Sequence, residues 1–193
     1  MRKHRGGLKW QNIEVARVGG REVAVAKNLG AAFNQGVGIR RQTSFQLLYK
    51  AALWPILNMR NKIVVDGFIE RRVGQWVQQN FNPDTVFLDI GCGAMGLSRF
   101  IPGDHIYNAL DIELSEFHVR RVFRTRSAVN LVAASAKDIP LEESTVSLIA
   151  SAETFEHIPG FLEVAKEMYR ILRPGGILVC SIPNNFCNKY FGI

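Results

Sequence analysis

The stretch VFLDIGCGAMGL, residues 86–97, sets an apolar run against a glycine-rich turn, and its reading decides the fold. Val86, Phe87, Leu88 and Ile90 form the near-continuous apolar pattern of a strand buried on both faces. Gly91, Gly93 and Gly96 follow at G-x-G-x-x-G spacing, the signature of a strand-to-helix turn that brings bare backbone against a ligand. Dinucleotide sites share that spacing, so the surrounding residues must choose the ligand. Asp89 stands two residues before Gly91. A carboxylate there repels a pyrophosphate and suits a cationic group, such as the ammonium of an amino acid.

Downstream, strand and helix patterns alternate. TVFLDI is followed by a short helix that Pro102-Gly103 ends, then by strand HIYNALDI and helix SEFHVRRVFRTR. A weaker strand, VNLVAAS, precedes strand VSLIASA, helix GFLEVAKEMYRIL, a turn at RPGG and strand ILVCSIP. Such alternation predicts an α/β core, doubly wound around a mostly parallel sheet, with ligands at the carboxyl ends of the strands. Asp111 ends the second strand, where a carboxylate can accept hydrogen bonds from two ribose hydroxyls. The core is expected over residues 62–193, opened by a helix over VVDGFIERRVGQWVQQNF that Asn82-Pro83-Asp84 stops.

Residues 1–61 read as a basic extension. The net charge of +7 comes from the first fifty residues, which hold ten Lys/Arg against Glu14 and Glu22. Such a segment can meet a polyanion, although no nucleic-acid motif accompanies it. IEVARVGGREVAVA carries the Gly19-Gly20 signal of a hairpin. NLGAAFNQGVGIRRQTS reads as loop, and Phe45–Met59 as a helix broken near Pro55. No stretch reaches the roughly 20 apolar residues of a membrane span. Cys92, Cys180 and Cys187 form no C-x-x-C pair, which fits a reducing cytoplasm.

The segments DIGCG, LDI, AKDIPLEESTVSLIASAETFEHI and LRPGG, in that order between Val86 and Pro183, resemble the class I S-adenosylmethionine-dependent methyltransferases, specifically their type 11 small-molecule group. The resemblance implies a Rossmann-like methyltransferase fold and S-adenosyl-L-methionine as cofactor. It implies that Asp89, Gly91 and Gly93 lie under the methionine portion, with Cys92 contributing backbone. Asp111 matches the ribose-binding acid and Ile112 the apolar residue against adenine. Ser135 and Ala136 match the adenine edge, while Ala152 and Glu153 line the methionine moiety and the substrate mouth.

Three positions depart from the family pattern. Met95 stands where a glycine is usual, with Gly96 one step late, which questions the tight packing of loop on helix. Ser135 replaces an adenine-binding Asp, and Ser147 an Asp before the fourth strand.

Methyl transfer from a sulfonium needs positioning above all, and for some acceptors a base. His157 is the candidate base, in the ETFEH cluster Glu153–His157. Glu153, Glu156 and His157 match a spacing that forms part of a metal site in some relatives, but the cluster reads as capping or orienting the next helix, and no metal is expected. Arg120, Arg121, Arg124 and Arg126 read as a solvated helix face.

A full domain of this family resembles a seven-stranded sheet closed by an antiparallel hairpin beside strand five, and only ten residues follow Pro183. The last two strands are therefore expected to be missing. The exposed edge would offer a dimer contact, unless the N-terminal hairpin lies antiparallel to strand five in their place. The expected function is methyl transfer to a small-molecule, glycan or lipid-precursor acceptor. The alternative is a non-catalytic S-adenosylmethionine-binding fragment or a subunit completed by a partner.

Overall fold

The computed structural model describes residues 5–36, 38–40 and 62–182. The helix expected over Phe45–Met59 and the segment after Pro183 lie outside them. The chain opens with β1 (Ile13–Val18) and β2 (Arg21–Ala26), then α1 (Lys27–Asn34) and the two-residue β3 (Ile39–Arg40). Helix α2 (Lys62–Gln79) leads to β4 (Phe87–Ile90), a 3-10 turn over Gly96–Phe100, and β5 (Tyr107–Asp111). The two-residue β6 (Leu114–Ser115), α3 (Glu116–Thr125), β7 (Val129–Ala133) and β8 (Val146–Ser151) follow. A second 3-10 turn, Phe155–His157, precedes α4 (Phe161–Ile171) and β9 (Leu172–Cys180).

Seven strands form one sheet in the order β1-β2-β7-β5-β4-β8-β9, with β4 near the middle. Every pairing is parallel except that of β1 with β2. The five strands β7-β5-β4-β8-β9 are the doubly wound core that the alternating pattern predicts.

Side chains of successive strand residues point to opposite faces, so each central strand feeds two apolar layers. Phe87, Tyr107, Ala109 and Leu131 join Phe33 of α1, Val73 and Val77 of α2, and Val119 and Val122 of α3 on one face. Leu88, Ile90, Leu110 and Val132 join Val164, Met168 and Ile171 of α4 on the other. The spacing of that last trio, i, i+4, i+7, is one helix face. Continuous apolar strands arise because both faces are covered.

The hairpin turns at Gly19 (φ 58) and Gly20 (φ 77), left-handed values that a two-residue turn between antiparallel strands requires. Its position ends the alternative in which it lies antiparallel to strand five. β2 pairs in parallel with β7, Ala24 against Val132 and Val25 against Ala133, at the sheet edge opposite β9. The reason is burial: Val23 and Val25 are 3% and 0% exposed against the layer that holds Val119 and Val122. On the other side β9 is the outermost described strand, with Ile177 and Leu178 39% and 40% exposed.

Two further readings change. Lys27–Asn34 is a helix, not a loop. Gly30 lowers its intrinsic propensity by about 1 kcal/mol relative to Ala, but Leu29 and Phe33, four apart, anchor it in the core. The Arg173–Gly176 turn falls inside the span of β9 and interrupts its pairing, the register jumping from Val146–Leu172 to Leu148–Ile177.

Integration of the hairpin into the sheet has a measurable consequence. Val25→Ala is expected to lower the unfolding free energy by about 2 kcal/mol in urea titration, whereas a dispensable appendage would leave the midpoint unmoved.

Candidate active site

The end of β4 turns over the end of β5. Gly91 (φ 72) donates its N–H to the Leu110 carbonyl at 2.8 Å, and Cys92 donates to the same oxygen at 3.1 Å. Gly93 donates its N–H to Asp111 Oδ2 at 2.8 Å, and Glu113 donates to Asp111 Oδ1 at 3.0 Å. The Asp111 carboxylate therefore clasps the glycine loop to the start of the next segment. Arg121 of α3 donates to the Ala94 carbonyl at 3.0 Å and braces the loop from outside.

The segment after β8 closes the other wall. Thr154 Oγ1 lies 3.2 Å from the Ala152 carbonyl and 3.4 Å from that of Gly91. Glu153 adopts a left-handed φ of 51, and its N–H donates to Ser181 Oγ at 3.0 Å. A Cβ on Gly91 would meet Thr154 Cγ2 at 2.1 Å, so the two walls touch where only glycine fits.

Between the walls lies a cleft of about 510 Å³ at the carboxyl ends of β4, β5, β7 and β8. Of the residues expected to bind a ligand, Gly91, Gly93, Asp111, Ile112, Ser135, Ala136, Glu153 and His157 line it together. Ile112 is 58% exposed. Ser135 Oγ accepts the Lys137 N–H at 3.2 Å, which shapes the turn after β7.

Asp89, Cys92 and Ala152 are outside this lining. Asp89 lies beneath the loop, 2% exposed, and accepts a hydrogen bond from the Tyr107 hydroxyl. Its neighbour is thus a phenol, where a cationic ligand group was expected. Burial pushes its carboxyl up to about 7, against the Tyr107 hydrogen bond, with the Asp111 and Glu70 charges adding to the rise. Cys92 is buried too, and burial pushes its thiol up. Asp111 is also shifted upward by burial, opposed by the backbone N–H groups it accepts.

The third glycine has a role that its late position concealed. A Cβ on Gly96 would lie 1.5 Å from Glu70 Oε1 of α2, and that carboxylate holds Arg99 at 2.8 Å. Met95 takes the left-handed conformation (φ 58) and buries its side chain to 1% exposure. Loop-to-helix packing is therefore tight, displaced by one residue. Ser147 Oγ accepts the Val86 N–H at 2.8 Å, so this serine joins the starts of β4 and β8.

His157 is largely exposed at the cleft rim, with Nε2 3.7 Å from Glu156 Oε1. Among the described residues no three His, Cys, Asp or Glu side chains are grouped to hold a metal ion. Arg126 is no part of a solvated face: its guanidinium donates to the carbonyls of Ser98, Ile101, Pro102 and His105. Ser115, His118, Thr154 and Ile158 also line the cleft. Sequence reading passed over Ser115 and His118, which no motif marks, and over Thr154 and Ile158, which lie inside the ETFEHI segment but are not of acid, base or ligand type; the local signal for Ser115 was its place just before a helix.

Comparison with known proteins agrees with this geometry. Residues 88–180 match the family described as "Methyltransferase domain". The chain is 29% identical over 119 residues to 2-methyl-6-phytyl-1,4-hydroquinone methyltransferase of Synechocystis, covering 55% of this chain and 37% of that protein. It is 31% identical over 98 residues to chloroplastic tocopherol O-methyltransferase of Arabidopsis thaliana, covering 48% of this chain and 28% of that one. The chain thus spans about a third of the length of these relatives. The fold is similar to that of the YcgJ protein of Bacillus subtilis, with a TM-score of 0.51 and 16% identity over 56% of this chain and 49% of that one.

Residues 88–180, just under half of the chain, match that methyltransferase domain and resemble those of the class I S-adenosylmethionine-dependent methyltransferases. S-adenosylmethionine is the cofactor of that family. The residues present fit it: the cleft volume suits a small molecule, and the Asp111 carboxylate, held by backbone N–H groups, still lines the cleft.

Two substitutions test the loop. Gly91→Ala forces a side chain into Thr154 at a left-handed position, and both the melting temperature and affinity for S-adenosylhomocysteine are expected to fall, the latter at least about tenfold. Asp89 is an acid whose pKa is higher folded than unfolded, so the native state holds its proton more tightly. Its contribution to stability is complete below the ordinary carboxyl value of 3.8 and is lost as pH rises through about 7. The wild-type unfolding free energy should therefore drop relative to that of Asp89→Asn by a few kcal/mol, to order of magnitude, between about pH 4 and about pH 8. Parallel curves across that window would contradict it.

Proposed function

We propose that this chain transfers a methyl group from S-adenosylmethionine to a small-molecule acceptor of quinone, lipid-precursor or glycan type. The observation that carries the reading is the Asp111 clasp: a half-buried carboxylate at the tip of β5 that holds the glycine loop and still faces the cleft. The hydroquinone and tocopherol methyltransferases among its relatives support an acceptor with quinone or lipid character, as does the similarity to malonyl-[acyl-carrier protein] O-methyltransferase of Enterobacter lignolyticus, 32% identical over 47% of this chain and 36% of that protein.

In this reading the Asp111 carboxylate, which lines the cleft, accepts from the ribose hydroxyls. Ile112 offers an apolar surface to the adenine, with Ser135 and the backbone of Ala136 at its edge. Gly91 and Gly93 let the methionine portion lie against bare backbone, and Asp89 and Cys92 act from beneath by holding the loop. Bound S-adenosylmethionine supplies a methyl group on a sulfonium with a good leaving group. The chain's contribution is orientation, since a displacement needs donor and acceptor in line and close. Glu153 stands on the acceptor side, and His157, exposed at the rim, can take a proton from an acceptor that must lose one. The free buried thiol of Cys92 fits a reducing compartment such as the cytoplasm.

Calorimetric titration with S-adenosylhomocysteine tests the cofactor, and Asp111→Ala should weaken binding by about 10- to 100-fold, the value of one or two hydrogen bonds to a charged group. Tight binding of NAD with none of S-adenosylhomocysteine would refute the proposal. Methyl-transfer assays with quinol, lipid-precursor and glycan acceptors address the substrate.

A further inference from the structure

We propose that the Ser115 hydroxyl is a further cofactor contact, donating to a ribose hydroxyl oxygen whose own proton goes to Asp111. The inference rests on the reading of the cleft as the S-adenosylmethionine site.

Ser115 ends β6 and occupies the N-cap position of α3, with φ −73 and ψ 121. A serine there ordinarily turns its oxygen onto an N–H of the first helical turn. Here it makes no such bond. The residue is 5% exposed, and its Oγ is buried without any hydrogen-bond partner. The other buried side-chain atoms without partners among the described residues belong to Trp10, Glu14 and Arg126, none of which lines the cleft. Ser115 does, beside Asp111, Ile112 and His118.

Its backbone is held in place. Leu114 donates its N–H to the Gly38 carbonyl at 2.7 Å, and the β3–β6 ladder pairs Ser115 with Arg40. An orphaned hydroxyl at a fixed position in a ligand cleft is an unmet bond that a ligand can complete. Serine side chains occupy three staggered wells, so bringing Oγ to the cleft surface requires side-chain rotation and no backbone shift.

Charge selects the ligand group. Asp111 lines the cleft beside Ser115, and its carboxylate opposes a phosphate or carboxylate and favours a neutral oxygen, whereas the Glu116 charge is paired with Arg120. A ribose hydroxyl both donates and accepts. Asp111, an acceptor only when ionised, satisfies the donor half, and Ser115 supplies the missing donor.

The test compares wild type with Ser115→Ala. The variant should bind S-adenosylhomocysteine about 3- to 10-fold more weakly, while its melting temperature without ligand stays unchanged or rises because a buried orphan is gone. For either the 2′-deoxy or the 3′-deoxy analogue, wild type and variant should bind alike. Equal affinity of the two proteins for S-adenosylhomocysteine overturns the inference. So does an equal loss on all three ligands, which would place the contact on the base, or a lower ligand-free melting temperature, which would make the hydroxyl a helix cap. A wild type that fails to bind S-adenosylhomocysteine overturns the cofactor reading, and this inference with it. Normal wild-type binding with an unaffected variant overturns the inference alone.

Discussion

Asp111 accepts the N–H of Gly93 with one carboxylate oxygen and the N–H of Glu113 with the other, and the cleft depends on that pair of bonds. The first fixes the loop after β4, and the second fixes the turn that carries the chain to Ser115 and α3. Two parallel strands, β4 and β5, bring the partners together through pairings such as Ile90 with Leu110. A carboxylate in this position reconciles two demands. The loop needs an acceptor for its exposed backbone donors, and in the proposed function the ribose hydroxyls need one too.

Beneath the loop, burial governs the chemistry of every ionisable group. Asp89, Tyr107 and Cys92 share one dry region, and burial disfavours the charged form of each. The Tyr107 hydroxyl donates a hydrogen bond to the Asp89 carboxyl within this buried region. Such an arrangement supports the loop from below while leaving the cleft wall to Gly91, Gly93 and Asp111.

The walls are held by single close contacts that exclude a side chain. Thr154 occupies the space a Cβ on Gly91 would need, and Glu70 the space a Cβ on Gly96 would need. These contacts link β8 and α2 to the same short loop. The hairpin β1–β2 widens the sheet on the β7 side, where Val18, Val23 and Val25 are buried against the layer that also holds α3.

The alternation of apolar runs and helical patterns from Val86 to Cys180 determined the doubly wound core, because strands buried on both faces leave an unmistakable continuous signature. The order DIGCG, LDI, AKDIPLEESTVSLIASAETFEHI, LRPGG carried the family resemblance, and the place of Asp111 at the end of a strand marked it as a residue of the cleft. Tertiary structure alone decided the rest. Whether Asp89 faces ligand or core depends on the depth of the Tyr107 side chain, which local pattern does not encode. The hairpin's partner depends on which edge offers an apolar layer for Val23 and Val25. The helix over Lys27–Asn34 depends on core contacts that outweigh the weak propensity of its glycine. Gly96 acquires its meaning from Glu70, twenty-six residues away in sequence and in contact only after α2 docks.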